Sequence, residues 1–356
     1  MTAAASSLPD IDPPTASVLI VDDSIVARAA LGRMVDSTDR FMVAGAVGSV
    51  TAALAFLTRH RVDVIMLDLE LPGIDGLAGL PDLLVAGRGA KILVVSASAE
   101  TGAIPTIHAL ALGAADTLFK PGIGGFAARF GAVLEEKLNR LVDAGPGGAT
   151  APTPAVESQP LPTIGAFDIV AIGASTGGIH ALSALLRALP PEFDRPIVIT
   201  QHLPASFMPY FAAQLTLIAG RPCDVAQNHM RIRPGRIVVA PGTAHLCLAR
   251  TTDGACVRLS TEPAASGCLP SVDPMFVSAA ATYGARALGI VLSGMGRDGS
   301  AGAVDLIRAG ASVVVQDRMS SVVWGMPGSI VGNGDATAVL PPAEIGRLIA
   351  TRAARS

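Results

Sequence analysis

The chain has 356 residues, half of them hydrophobic and 15% charged, with a net charge of −3. That is too long for one typical domain and apolar enough for two full cores. The near-neutral balance, with no basic patch and no basic amphipathic run, argues against a nucleic-acid partner and against a membrane surface.

Met1–Ser17 carries no Lys or Arg and no long apolar core, so residues 1–16 read as a tail and not as a signal peptide. Two charge-free stretches, Ile169–Leu186 and Pro196–Gly220, are interrupted by Gly177, Gly178 and His180 in the first and by Gln201, Pro204 and Pro209 in the second. Neither is a continuous apolar span, and no membrane insertion is expected. The four cysteines, Cys223, Cys247, Cys256 and Cys268, form no C-x-x-C pair. Their spacing offers no zinc site and suits a reducing compartment, so a cytoplasmic protein is expected.

Residues 17–142 alternate apolar and helical stretches. Val18–Val21 is a continuous apolar run, as in a parallel strand buried on both faces, and it ends in Asp22-Asp23. A helical segment, Ser24–Val35, follows. Strand-like runs recur at Phe41–Val47, Val62–Leu67, Lys91–Val95 and Asp116–Phe119. The order predicts a doubly wound α/β sheet, whose ligands bind beyond the carboxyl ends of the strands. Those ends carry Asp22 and Asp23, then Asp68, then Ser96, then Lys120. Converging carboxylates suit a hard cation such as Mg²⁺, and a lysine with a hydroxyl completes a phosphoryl site.

This set resembles the flavodoxin-like receiver domain of two-component response regulators. The resemblance implies that Asp68 accepts a phosphoryl group from a histidine kinase. It also implies that Asp22, Asp23, Asp68 and the carbonyl of Glu70 hold Mg²⁺, that Ser96 is the switch hydroxyl, and that Lys120 contacts the phosphoryl group. Two positions depart from the pattern. Leu71 stands where methionine is common, and Thr117 where an aromatic switch residue is usual, which leaves the usual hydroxyl-to-aromatic coupling without its second member.

Residues 143–165 hold five prolines and four glycines and no apolar periodicity, and they read as a semi-flexible linker.

Residues 166–356 again alternate. Apolar runs at Asp168–Ile172, Pro196–Thr200, Arg236–Ala240, Leu288–Leu292 and Ser312–Val315 predict a second doubly wound, mostly parallel α/β domain. Between the first run and a helical stretch, Ile179–Leu189, lies Gly173-Ala174-Ser175-Thr176-Gly177-Gly178. It fits a nucleophile elbow, a sharp strand-to-helix turn that exposes a serine. Its small residues are expected to let a substrate surface approach the hydroxyl. The second run leads into His202 and the fourth into Asp298. A serine needs a base to take its proton, and a carboxylate to orient that base. The order Ser, His, Asp differs from the Ser, Asp, His order of α/β-hydrolases. The other histidines, His60, His108, His180, His229 and His245, read as surface or structural residues.

These segments resemble the catalytic domain of CheB-type protein-glutamate methylesterases. The similarity extends to Gln201-His202-Leu203-Pro204, Ala240-Pro241-Gly242, Pro270-Ser271-Val272-Asp273, Ser293–Gly299, Gln316-Asp317 and Ser320–Pro327. It implies Ser175 as nucleophile, His202 as general base, Asp298 as orienting acid, and the Met295 N–H in the oxyanion hole. The implied substrates are glutamyl γ-methyl esters of methyl-accepting chemoreceptors, with glutamine deamidation as a second activity. The esterase step is expected to need no cofactor, and the protein to be a monomer. Two rival readings are a response regulator whose output only binds, and a dinucleotide-dependent oxidoreductase. A DNA-binding output lacks a basic recognition helix. A protein-binding output fits the receiver but leaves the three strand ends unexplained. A dinucleotide site lacks the second glycine of G-x-G-x-x-G, where Ser175 stands.

Overall fold

A computed structural model describes residues 15–96, 103–120, 127–143 and 164–353. The predicted tail and nearly all of the predicted linker lie outside the described residues.

The first domain is a five-stranded parallel sheet: β1 (Ala16–Val21), β2 (Phe41–Val47), β3 (Val64–Leu67), β4 (Lys91–Ser96) and β5 (Asp116–Phe119). Their order is β2-β1-β3-β4-β5. Helices α1 (Ile25–Asp36), α2 (Val50–Leu57), α3 (Gly76–Ala86), α4 (Ala103–Leu112) and α5 (Ala127–Asp143) connect or follow them. The apolar runs of β3 and β4 are buried at every position, because helices cover both faces. Ser24, Ser49 and Asp75 cap α1, α2 and α3 by accepting from the backbone N–H three residues on, so polar loop residues set where each helix starts. Val62 and Asp63, expected in the third strand, precede β3.

The second domain centres on a seven-stranded parallel sheet. Its strands are β6 (Ile169–Ala174), β7 (Ile197–Gln201), β8 (Cys223–Val225), β9 (Ile237–Val239), β12 (Ala287–Val291), β13 (Ser312–Gln316) and β14 (Ala338–Leu340), and a hairpin, β10 (His245–Thr251) with β11 (Gly254–Ser260), stands apart. The helices are α6 (Gly178–Arg187), α7 (Met208–Ala219), α8 (Val272–Tyr283), α9 (Ser300–Arg308), α10 (Gly325–Asn333) and α11 (Pro342–Ala353). The order β14-β13-β12-β6-β7-β9-β8 puts β6 between β12 and β7, where the winding reverses. Such a switch point opens a crevice at the carboxyl ends of the central strands. Ile164, counted with the linker in the sequence, is buried in the core, and Gly165 N–H donates to Ser312 Oγ at 3.2 Å.

The two domains touch. Helix α4 packs on α6 and α7. Phe119, at the end of β5, lies 5.2 Å from Phe207 between ring centroids. The Gly177 N–H donates to the Ala115 carbonyl at 2.9 Å, and His180 Nδ1 lies 3.1 Å from the Ala111 carbonyl.

Candidate active site

The first domain gathers its charged strand ends into one pocket. Asp22, Asp23 and Asp68 each bring a carboxylate oxygen within 4.8 Å of the others. Lys120 Nζ lies 2.6 Å from Asp22 Oδ2 and 2.6 Å from Asp68 Oδ2. Burial would lower the Lys120 pKa, but the two carboxylates outweigh it and raise it. Asp22 Oδ2 is buried and finds no hydrogen-bond donor with good geometry, so its contact with Lys120 is an ion pair. An all-oxygen donor set with such an atom fits a hard divalent cation. Ser96 is buried at the end of β4, and the Lys120 N–H donates to its carbonyl at 2.8 Å. Glu70 N–H donates to Asp68 Oδ1 at 3.2 Å, which brings the Glu70 backbone to the pocket's rim. Thr117 is buried in β5.

In the second domain Ser175 directly follows β6, His202 directly follows β7, and Asp298 lies in the loop after β12. All three stand at the switch-point edge. His202 Nε2 is 2.8 Å from Asp298 Oδ2. Ser175 and His202 line one cavity of about 390 Å³, together with Thr176, Gly177, Gln201 and Cys268. They share a wall without a closed hydrogen bond, and such contacts tighten when substrate binds.

Burial would lower the His202 pKa, but the hydrogen bond with Asp298 and the nearby Cys268 overcome it and push it up to about 9. Asp298 shows the opposite balance. Its burial would raise its pKa, yet bonds from His202, Ser271 and the Val272 N–H hold it well below the usual carboxylate range.

Several residues that shape this site escaped sequence reasoning. Ser271 Oγ donates to Asp298 Oδ1 at 2.6 Å, and Val272 N–H to Oδ2 at 2.7 Å. His245 accepts from the Ser271 N–H at 2.8 Å, so a histidine read as structural holds the residue that holds Asp298. Gln201 Nε2 donates to the Ser175 carbonyl at 2.9 Å. Ser293 Oγ donates to the Thr176 carbonyl at 2.8 Å, and Gln316 Oε1 accepts from the Ser293 N–H at 2.6 Å. For all but His245 the available signal was their place in the matching segments around Gln201, Pro270, Ser293 and Gln316, and it did not say what each side chain does. Met295, assigned to the oxyanion hole, is exposed beside a cavity lined by Arg318 and Trp324.

The small residues of the serine turn have a different cause from the one expected. A Cβ on Gly177 would lie 2.4 Å from Val322 Cβ, and one on Gly173 would lie 2.5 Å from Val272 Cγ1. Gly177 also has φ +74°, a left-handed conformation that glycine adopts without strain. Close packing of the turn, more than access for a partner, demands glycine.

Two parallel-sheet domains, one with an acidic pocket beside a lysine, the other with a His–Asp pair beside a serine turn, define a class: a response regulator joined to a catalytic α/β output domain. Residues 18–124 match the response regulator receiver domain, and residues 170–349 match the CheB methylesterase domain. The chain belongs to the CheB methylesterase family. It is 38% identical over 95% of its length to a protein-glutamate methylesterase/protein-glutamine glutaminase of Paramagnetospirillum magneticum, covering 96% of that protein. A second relative so named, from Caulobacter vibrioides, is 39% identical over 94% of this chain and 98% of its own. The crystal structure of the Thermotoga maritima CheB methylesterase catalytic domain superposes with a TM-score of 0.51 and 32% identity, over 52% of this chain and 99% of that one. Among the described residues no helix is long and apolar enough to cross a membrane.

Proposed function

We propose that this protein is a phosphorylation-gated serine esterase that removes γ-methyl groups from glutamyl side chains of chemoreceptors, releasing methanol. Its relatives' names carry the activity. The observation that carries the site is the 2.8 Å His202–Asp298 bond beside the Ser175 turn. In this reading residues 17–142 form the receiver, 143–165 the linker and 166–356 the catalytic domain.

His202 takes the proton of Ser175 as its Oγ attacks the ester carbonyl, and Asp298 steadies the imidazolium that forms. With Nε2 committed to Asp298, Nδ1 is the ring nitrogen for the hydroxyl. The N–H groups of Met295 and of Thr176, the residue after the nucleophile, are the donors for the tetrahedral oxyanion. Losing one such donor costs roughly 10²–10³ in kcat. His202 then gives its proton to departing methanol, and water, activated by the same base, releases the glutamate. A glutamine side-chain amide follows the same path with ammonia as the leaving group, which supports the second activity in the relatives' names. Binding and orientation draw on backbone N–H groups as well as side chains, and the proton moves through His202.

Gating falls to the receiver. Asp68 is the phosphoryl acceptor from a histidine kinase, with Lys120 and Ser96 as the groups that sense it. Asp22, Asp23, Asp68 and the Glu70 carbonyl would hold Mg²⁺, which neutralises phosphoryl charge during transfer. The Ala115–Gly177 bond and the Phe119–Phe207 contact join the receiver to the catalytic edge. Added charge at Asp68 biases that docked arrangement toward opening.

Methanol release from methylated chemoreceptor fragments, with and without a small phosphodonor, is the test. Ser175→Ala should abolish release while the fold survives, and Asp68→Asn should abolish the response to phosphodonor. Near-normal release by Ser175→Ala would overturn the site.

A further inference from the structure

The loop between β11 and α8 brings Cys268 to the catalytic pair. His202, Cys268 and Asp298 each place one ligand atom within 4.8 Å of the other two. Cysteine spacing alone showed no metal site, because the partners come from two other loops. A single cysteine joined in space to an imidazole and a carboxylate is a different donor set. We propose that these three residues form a zinc site, and that a zinc ion bound there switches the hydrolase off. The second half of that statement rests on the assignment of His202 as the base.

The donor chemistry selects the metal. Sulfur, nitrogen and oxygen together favour zinc over Mg²⁺, whereas the receiver's pocket offers oxygen alone. Zinc bonds thiolate sulfur at about 2.3 Å and imidazole nitrogen or carboxylate oxygen at about 2.0–2.2 Å. Tetrahedral geometry at those lengths sets ligand atoms about 3.3–3.8 Å apart. The His202–Asp298 contact must open from 2.8 Å by under about 1 Å. Cys268 and His202 are both partly exposed, so an ion reaches them from the cavity. The fourth position faces that cavity and takes water.

The surroundings suit a metal site. Asp298 is fixed by Ser271 Oγ, by the Val272 N–H and by the Gly299 N–H at 3.1 Å. Such outer contacts orient a ligand and sharpen its affinity. Binding displaces the Cys268 thiol proton to solvent, and the ring nitrogen that takes the metal carries no proton. The imidazole that would accept the Ser175 proton is then committed to the ion. Hydrolysis stops without any change in the receiver.

The experiment uses the full chain in millimolar Mg²⁺, which occupies the receiver pocket. Binding is read with Co²⁺ as the spectroscopic probe, in a Ser175→Ala background so that catalysis plays no part. A sulfur-to-cobalt charge-transfer band should appear at one equivalent, vanish on adding Zn²⁺, and be absent in Cys268→Ser and Cys268→Ala. Cys256→Ser should retain it. In the Ser175 protein, Zn²⁺ should abolish methanol release, and a zinc chelator that spares Mg²⁺ should restore it. Half-inhibition in Cys268→Ser should need at least about ten-fold more zinc, since even outer-shell changes cost 10–100-fold in affinity. Equal zinc sensitivity in Cys268→Ser, or a cobalt band that survives it, overturns the site and leaves the catalytic reading intact. Continued methanol release by Ser175→Ala would instead sink the catalytic reading while the cobalt result stands.

Discussion

Replacing Asp298 by asparagine tests the catalytic edge most directly. The carboxylate accepts from five donors: Ser271 Oγ, the N–H groups of Val272, Asp273 and Gly299, and His202 Nε2. Asparagine offers one acceptor oxygen and one amide nitrogen, which can only donate. With that nitrogen in place of Oδ2, the Val272 N–H loses its acceptor and His202 must turn a bare nitrogen toward the amide. With it in place of Oδ1, the Ser271 hydroxyl can rotate to accept, but the Gly299 N–H cannot. Each buried N–H left unpaired costs about 1–3 kcal/mol, so the variant should fold with its urea midpoint lowered. Turnover should fall further than stability. In a Ser–His–Asp triad the same change lowers kcat about 10⁴-fold, because the imidazole takes the wrong tautomer. The pH profile carries its own signature. The base must be neutral, so wild-type turnover should climb as pH rises toward about 9, where His202 loses its proton. Without the carboxylate, burial is opposed only by Cys268, and the midpoint should fall well below its wild-type position. Stability follows the same groups. A raised His202 pKa stabilises the fold below its unfolded value of about 6.5, and that contribution is lost as pH rises through about 9. The asparagine variant should lose this alkaline decline. The measurement is methanol release between pH 6 and 10, with urea melts at both ends. A loss under ten-fold, or an unmoved midpoint, would refute the reasoning.

Three further changes probe the rest of the chain. Gly177→Ala places a Cβ 2.4 Å from Val322 Cβ at φ +74°, so left-handed strain and overpacking should together cost about 2–4 kcal/mol in chemical denaturation. Lys91 is buried in β4, and burial lowers its pKa from 10.5 to about 8. A lowered lysine pKa destabilises below about pH 8 and is relieved as pH rises toward 10.5, so Lys91→Met should gain roughly 2–3 kcal/mol at pH 7 and almost nothing at pH 10.5. Ser271→Ala removes the hydroxyl that donates to Asp298 Oδ1 and should raise the Asp298 pKa, lower that of His202, and cost turnover more than stability.

Much of this was legible in the sequence because parallel strands buried on both faces announce themselves as apolar runs. The ends of those runs placed Asp22, Asp68, Lys120, Ser175 and His202 to within a residue or two of where the strands stop. The β10–β11 hairpin was missed because its seven-residue strands mix exposed arginine with buried leucine and follow no run. Cys268, Ser271 and His245 were opaque for another reason. Each acts through a loop whose path is set by tertiary contacts, with the Ser271 N–H on His245 and the Ser271 hydroxyl on Asp298. No spacing rule encodes that. The glycines of the serine turn were visible but misjudged, since sequence shows smallness and only packing shows what crowds it.

The absence of an aromatic residue at Thr117 leaves open how a phosphoryl group on Asp68 could loosen the catalytic edge, and β5 supplies a route. Lys120 bridges Asp22 and Asp68, and the next residue back, Phe119, packs its ring at a tilt against Phe207. Phe207 closes the short turn that begins just past His202-Leu203-Pro204. At the other end of β5, Ala115 accepts from Gly177 in the serine turn. A pull on Lys120 therefore strains two contacts that flank the catalytic edge, without any side-chain rotation inside the receiver. Their combined strength bounds the effect. An aromatic pair contributes about 0.5–1.5 kcal/mol beyond its buried area, and a backbone hydrogen bond about 0.5–1.5 kcal/mol. Releasing both amounts to about 1–3 kcal/mol, or roughly 5- to 150-fold in the docked-to-open ratio. Phe119→Ala should accordingly raise unphosphorylated turnover several-fold and shrink the response to phosphodonor by the same factor, both read as methanol release. An unchanged phosphodonor response in Phe119→Ala would place the coupling elsewhere, in the packing of α4 on α6 and α7.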